Sequence, residues 1–273
     1  MLAARYDVLL FDLDGVLYRG DEPVPNATQT MAALRARGVR VAFVTNNSSR
    51  TPEQVAAKLT RLGIPAVASE VVTSAIATAD LLAARGGGTA FVVGQEGIRR
   101  ALADAGIRVL DDEPEWVDHV VIGVDVDATY ATLRTAGVLV QRGAHLVATN
   151  PDRSFPAPDA LWPGAGALLA VVTTTTGAEA EIVGKPFAPL FESARTRVGG
   201  TRPLVIGDRL DTDIAGAQAL GWDSLLVLTG VSSREDVATS AWRPTYVAED
   251  LGGLLAEGDR GVDQKASGRR GTP

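Results

Sequence analysis

The chain of 273 residues contains no cysteine, which excludes disulfides, thiolate metal sites and cysteine nucleophiles. Lysine is nearly absent: it stands only at positions 58, 185 and 265, and arginine supplies almost all the remaining positive charge. The two histidines, His119 and His145, lie beside apolar runs with no second ligand nearby, so both read as edge or core residues rather than metal ligands. There is no run of about 18 or more apolar residues, as a membrane-spanning helix would need. The first apolar run also follows the N-terminus too closely for a signal peptide, so a soluble, cytoplasmic protein is expected. A net charge of −7 argues against nonspecific affinity for nucleic acid. With 46% hydrophobic residues, the chain can form one large core or two ordinary ones.

What is present begins with an acidic triplet. Val8-Leu9-Leu10-Phe11 is a short apolar run that reads as a buried strand, and it ends directly in Asp12-Leu13-Asp14 followed by Gly15. Open α/β sheets keep their active sites at the carboxyl ends of strands. Two carboxylates there repel each other and lose solvation, a cost that makes sense where a cation or a proton transfer is served. Taken alone, the triplet reads equally well as a turn with a helix cap.

Three further polar clusters terminate apolar runs. Val39 to Val44 ends in Thr45-Asn46-Asn47-Ser48, a hydroxyl, amides and successive backbone N–H groups at a helix entrance, suited to phosphate oxygens. Glu181-Ile182-Val183-Gly184 runs into Lys185-Pro186, and Leu204-Val205-Ile206-Gly207 into Asp208-Arg209-Leu210-Asp211-Thr212-Asp213. In a chain so poor in lysine, Lys185 at a strand exit reads as a point charge for phosphate, with a plain salt bridge as the alternative.

In order, Asp12-Leu13-Asp14-Gly15-Val16, Thr45-Asn46-Asn47, Lys185 and Gly207-Asp208 with Asp213 resemble the four motifs of the haloacid dehalogenase superfamily of phosphatases, over about the first 255 residues. The gap between the second and third motifs is long enough for a large inserted cap, and the segment from Gly207 to Ile214 is similar to that of subclass IIA, the subgroup with pyridoxal, phosphoglycolate and glycerol-3-phosphate phosphatases. The resemblance implies a Mg²⁺-dependent phosphatase. Asp12 is then the nucleophile that forms an aspartyl-phosphate, and Asp14 is the general acid and base. Mg²⁺ is bound by Asp12, the Asp14 carbonyl and Asp208, with Asp213 holding metal-bound water. Thr45, Asn46 and Asn47 hold the phosphoryl group, and Lys185 balances its charge. Asp211, off the motif positions, is expected as an N-terminal cap or dipole partner of a helix starting near Thr212. The implied partner is a small phosphorylated metabolite, with no nucleic acid or membrane, and the protein is expected as a monomer or homodimer. Glycerol 3-phosphate or a similar polyol or sugar phosphate is the substrate the resemblance favours. Two rival readings are phosphotransfer to an acceptor other than water, and a silent phosphometabolite-binding module. The second has no need for Asp14.

The pattern along the chain predicts an α/β protein: a doubly wound parallel-sheet core, 1–84 and 182–256, an α/β cap inserted as 85–181, and a disordered tail over 257–273. A helix is expected over Ala27 to Arg37, and the capping box Thr51-Pro52-Glu53-Gln54 starts a second that Gly63 closes. Gly86-Gly87-Gly88 interrupts the alternation. Beyond it, strands are predicted over Thr89 to Val93, Trp116 to Val124 and Leu146 to Ala148, with helices over Ile98 to Ala105 and Ala128 to Gln141. Gly164-Ala165-Gly166 opens a helix but lacks the third glycine of a dinucleotide loop. Thr173 to Thr176 reads as a helix exit or strand. Asn150-Pro151-Asp152-Arg153-Ser154-Phe155-Pro156 follows the last cap strand, where related phosphatases select the leaving group. A Pro-stiffened connection with Asx turns explains it equally well. Phe155 stands where pyridoxal phosphatases place a histidine, which weighs against pyridoxal phosphate, and the overall pattern resembles the actinobacterial-type glycerol-3-phosphate phosphatases, which favours a small polyol phosphate.

Overall fold

The computed structural model describes residues 1–256 and the backbone of residues 263–264. Its main elements are β1 (Val8–Phe11), α1 (Ala27–Ala36), β2 (Arg40–Thr45), α2 (Pro52–Arg61), β3 (Val71–Thr73), α3 (Ser74–Ala84), β4 (Thr89–Val93), α4 (Glu96–Asp104), β5 (Arg108–Val109), β6 (His119–Ile122), α5 (Tyr130–Gln141) and β7 (His145–Ala148). There follow α6 (Ala165–Thr176), β8 (Glu181–Ile182), α7 (Ala188–Val198), β9 (Pro203–Gly207), β10 (Asp223–Val227), α8 (Arg234–Thr239) and β11 (Tyr246–Ala248). The chain divides into two compact units, one of Met1–Phe43, Leu59–Pro65 and Val198–Pro273, the other of Val44–Lys58 and Ala66–Arg197. By compactness, α3 and most of α7 thus belong with the stretch 85–181.

In the first unit the strands lie in the order β11-β10-β9-β1-β2, all parallel. Every residue of β1 is buried, as a central parallel strand covered on both faces requires. Its Leu10 faces Val205 of β9 on one side and Ala42 of β2 on the other. Chain order reverses beside β1: β2 lies to one side of it, β9 and the later strands to the other. The crevice at the carboxyl ends of β1 and β9 is therefore a topological switch point. A short strand, Asp263–Gln264, runs antiparallel to β11. The rest of the expected tail, 257–273, lies outside the described residues.

The second unit carries its own parallel sheet, ordered β8-β7-β6-β4-β5. Phe91, Val93, Val120, Ile122 and Leu146 fill its core against Leu139 of α5 and Val172 of α6. The strand expected from Trp116 pairs only from His119, opposite Ala90, because Pro114 and the turn at Asp112 carry the chain through a loop that leaves Trp116 54% exposed. Helix α5 starts at Tyr130, not Ala128, since the Thr129 hydroxyl accepts the Thr132 N–H at 3.1 Å and fixes the cap there. The 51–54 capping box forms reciprocally: Thr51 N–H to Gln54 Oε1 at 3.0 Å, Gln54 N–H to Thr51 Oγ1 at 3.4 Å. Thr173 to Thr176 is the last turn of α6, its hydroxyls donating to carbonyls one turn back. His119 and His145 face each other across β6 and β7 with ring centroids 5.8 Å apart, and His145 Nε2 lies 3.3 Å from Glu181. Among the described residues no helix is long and apolar enough to cross a membrane.

Asp7 fixes the entrance to β1. Its carboxylate accepts the N–H groups of Thr201 and Arg202, both at 2.9 Å, and the Thr201 hydroxyl at 2.8 Å, so the chain ends entering β1 and β9 are tied together. Partial burial raises its pKa, but these donors outweigh that and bring it down to about 2. A carboxyl depressed in the folded state contributes stability above its unfolded pKa, and the contribution disappears as pH falls through the folded value. Asp7→Asn is therefore expected to cost roughly 1 kcal/mol at pH 7, allowing for solvent screening. The difference from the parent should shrink between about pH 4 and pH 2. Urea titrations across that range check this; a difference independent of pH would assign the effect to packing.

Candidate active site

Both acidic clusters leave strand ends at the switch point. Asp12 follows β1 and donates its N–H to Ile206 O of β9 at 2.8 Å, which locks it in sheet register. Asp208 follows β9 and is buried, as is Asp213. Carboxylate oxygens of Asp12, Asp208 and Asp213 lie within 4.8 Å of one another. Asp213 reaches the group through a single π-helical turn, Leu210–Ile214, in which the N–H of Ile214 bonds to Arg209 O at 3.2 Å. Its side chain lies against the strand end so closely that a Cβ on Gly207 would fall 2.2 Å from Asp213 Cβ.

Asp14 stands apart. Its carboxylate is exposed and 3.4 Å from the Tyr18 hydroxyl, long for an O–H···O bond. Gly15, at φ +81, turns the chain sharply after it, and a Cβ there would meet Asp208 Oδ2 at 2.4 Å. The side chains that cluster are thus Asp12, Asp208 and Asp213, with Asp14 facing solvent beside them in sequence. Asp211 takes the second of its two expected places, that of an acid in the first turn of the helix. It lies inside the helical turn and pairs with Arg209, at 3.0 and 2.8 Å, so Arg209 and not Asp211 occupies the cap position. That ion pair lowers the Asp211 pKa, against the opposing effect of burial.

The remaining motif residues assemble within the second unit around Asn46. Its Oδ1 accepts the Lys185 N–H at 2.7 Å, and its Nδ2 donates to Lys185 O at 3.1 Å and Asp152 Oδ2 at 3.2 Å. Its carbonyl accepts from the Ser74 hydroxyl at 2.6 Å and from Asn150 Nδ2 at 2.7 Å. The side-chain amide expected on phosphate is therefore engaged in holding the Lys185 backbone. Gly184 makes this possible, since a Cβ there would come 2.4 Å from Thr149 O and 2.6 Å from Asn46 Oδ1. Lys185 itself is 4% exposed, with Nζ 3.5 Å from Val44 O. A buried ammonium is costly unless an anion is served. Thr45 is buried and its hydroxyl accepts the Asn47 N–H at 3.1 Å, while Asn47 Oδ1 accepts from Ser49 N–H and Oγ at 2.8 and 2.7 Å.

Asp152 opens the loop read as a leaving-group selector. Its Arg153 is exposed, and Phe155 packs edge-to-face on Trp162, 6.3 Å between centroids, in the hairpin Ser154–Pro156 with Leu161–Pro163. The glycines opening α6 accommodate this loop: Cβ atoms on Gly164 and Gly166 would fall 2.3 Å from Asp152 O and from Pro151 O. Residue types alone gave no link between Asn46 and residues 150–152.

Comparison with known proteins agrees with this geometry. A haloacid dehalogenase-like hydrolase family matches residues 9–108, and an HAD-hydrolase-like family matches residues 182–254. The acid sugar phosphatase of Staphylococcus aureus is 40% identical over 256 residues, 93% of this chain and 98% of that protein. A glycerol phosphate phosphatase from Mycobacterium tuberculosis, solved in complex with calcium, is 39% identical over 93% of this chain and 76% of its own, with a TM-score of 0.88. The same enzyme in complex with magnesium gives a TM-score of 0.86. The chain belongs to the haloacid dehalogenase superfamily, in its subclass IIA of phosphatases.

Removing the Asn46 side chain leaves the Lys185 N–H without its acceptor. Asn46→Ala is expected to lose about 1–3 kcal/mol of stability, the cost of an unsatisfied buried donor. Chemical denaturation reads this directly, and an unchanged midpoint would show that the Lys185 backbone is held by other contacts.

Proposed function

We propose that the protein hydrolyses small phosphate monoesters with Mg²⁺ through an aspartyl-phosphate on Asp12. The observation that carries this reading is the grouping of Asp12, Asp208 and Asp213 within 4.8 Å at the switch point. A set of hard carboxylate oxygens is the donor type Mg²⁺ takes. Asp12, Asp208 and the Asp14 carbonyl would hold the ion, with Asp213 holding its bound water, and the ion would neutralise charge that otherwise repels a carboxylate nucleophile from a phosphate dianion.

The chain's own groups perform the steps. An Asp12 oxygen forms a bond to phosphorus as the bond from phosphorus to the ester oxygen breaks, and Asp14 delivers its proton to the departing alkoxide. Water then attacks the phosphorus of the aspartyl-phosphate and gives a proton to Asp14 as the bond from phosphorus to the Asp12 oxygen breaks, which releases inorganic phosphate and returns both residues to their starting states. Thr45 and the backbone at Asn46 and Asn47 bind the phosphoryl oxygens, and Lys185 offsets their charge through the transition state. Relatives named for sugar and glycerol phosphates support a polyol or sugar phosphate as substrate, with glycerol 3-phosphate first among them. The stretch 85–181 is proposed as a cap whose loop Asn150 to Pro156 reads the leaving group.

Asp12→Asn is expected to abolish hydrolysis while the fold persists. Asp14→Asn should lose on the order of 10²-fold with alkyl phosphates and less with nitrophenyl phosphate, whose leaving group hardly needs a proton. Full activity of Asp12→Asn, or activity in excess chelator, overturns the assignment; equal losses for both esters would remove Asp14 from acid catalysis.

A cap loop that selects substrates should change their ranking without disabling the phosphate end. Arg153→Ala and Phe155→Ala are expected to reorder kcat/KM over a panel of phosphate esters while hydrolysis of a small activated ester stays mostly intact. A uniform fall across the panel would make the loop scaffolding.

A further inference from the structure

The residues after β10 carry a cluster that the four motifs do not include. Leu225 to Leu228 is another apolar run ending in polar residues, Thr229-Gly230-Val231-Ser232, and this loop grips Asp208 at several points. Val231 N–H donates to Asp208 Oδ2 at 2.7 Å, and Ser232 N–H to Asp208 O at 3.0 Å. Ser232 Oγ accepts the Leu210 N–H at 3.1 Å, so the chain on the far side of Asp208 is held as well. Gly230 passes so near the carboxylate that a Cβ would stand 1.9 Å from Asp208 Oδ2. A short charge-assisted bond from a backbone N–H fixes the orientation of the carboxylate, and no side-chain rotation can release it.

The loop is itself anchored through Thr229. Its buried hydroxyl donates to Gly15 O at 2.6 Å, and its carbonyl accepts from the Arg19 guanidinium. One hydroxyl therefore connects the turn after Asp12 and Asp14 to the loop that orients Asp208. We propose that Thr229 is a positioning residue for the metal-binding carboxylates, setting Asp208 relative to Asp12 through the Val231 N–H. This rests on the reading that Asp12 and Asp208 bind Mg²⁺ and Asp213 its bound water. Groups that orient metal ligands without touching the ion typically govern affinity by about 10–100-fold.

The test is Mg²⁺ affinity measured calorimetrically on the full chain without substrate. Thr229→Val keeps the shape of the side chain and removes the hydroxyl; it should weaken Mg²⁺ binding by about 10-fold or more. Thr229→Ser restores the donor and should bind within about twofold of the parent, since the bond to Gly15 O is retained. At saturating Mg²⁺ the kcat of Thr229→Val should recover most of the parent value, which a general structural defect would not allow. Equal affinity of the Val variant and the parent overturns the proposal, as does a Ser variant as weak as Val, whether or not Val melts early. A parent that binds no Mg²⁺, or an Asp208→Asn variant that binds it as well as the parent, overturns the metal assignment itself and this inference with it.

Discussion

Mutual repulsion among three carboxylates is the constraint around which the first unit is built. Two unit charges about 4 Å apart at an effective dielectric near 20 oppose each other by about 4 kcal/mol. Asp12, Asp208 and Asp213 meet within 4.8 Å with two of them buried, so the scaffold must hold them there against that force. It does so by rigidity. Two adjacent central strands deliver Asp12 and Asp208, and a π-helical turn returns Asp213 to the same strand end. The approach is close enough that Gly15, Gly207 and Gly230 all lie where a Cβ would collide with one of the acids. Carboxylates held this close to one another favour a cation among them.

The second unit solves the opposite problem, that of a buried cation. Lys185 emerges from a strand end with its backbone N–H and C=O both bonded to one amide, that of Asn46. Bonding both backbone groups to one amide fixes where the Lys185 side chain leaves the strand end. The Asn46 carbonyl and Nδ2 draw in Ser74, Asn150 and Asp152, so the loop of the second sheet and the Thr45-Asn46-Asn47 motif share one hydrogen-bonded node. A network of this kind is rigid only when every member is satisfied.

Much of this was legible in the sequence because strand-end clusters are local. An apolar run stopping at an acid or at Thr-Asn-Asn shows both the strand and the direction in which its last residues point, and the four motifs fell where β1, β2, β8 and β9 end. The cap at Thr51 and the β4 strand were equally plain, since a few neighbouring residues determine each. What was not legible depended on partners distant in sequence. Nothing near Asn46 shows that its amide is engaged 139 residues away by Lys185. Asp211 could be a cap or a dipole partner by residue type, and its pairing with Arg209 inside the turn decides for the second. Trp116 suggested strand by composition, while the loop after Pro114 kept it from pairing. The Thr229 loop gave the same signal as the other clusters, an apolar run followed by hydroxyl and glycine, but its role needed the contact with Gly15.

The two glycines that open α6 have a further consequence for how this protein can be altered. Gly164 and Gly166 leave space for the carbonyls of Asp152 and Pro151, and their N–H groups donate to the same loop, Gly166 N–H to Asp152 O and Gly164 N–H to Arg153 O, both at 2.9 Å. The loop and the start of the helix are therefore one steric unit, though the hairpin separates them in sequence. A loop transplanted alone from another phosphatase would meet a helix start shaped for a different backbone, and a bulkier residue at either glycine would push the recipient loop outward. Any exchange of this loop is accordingly a matter of moving 150–166 as a single cassette.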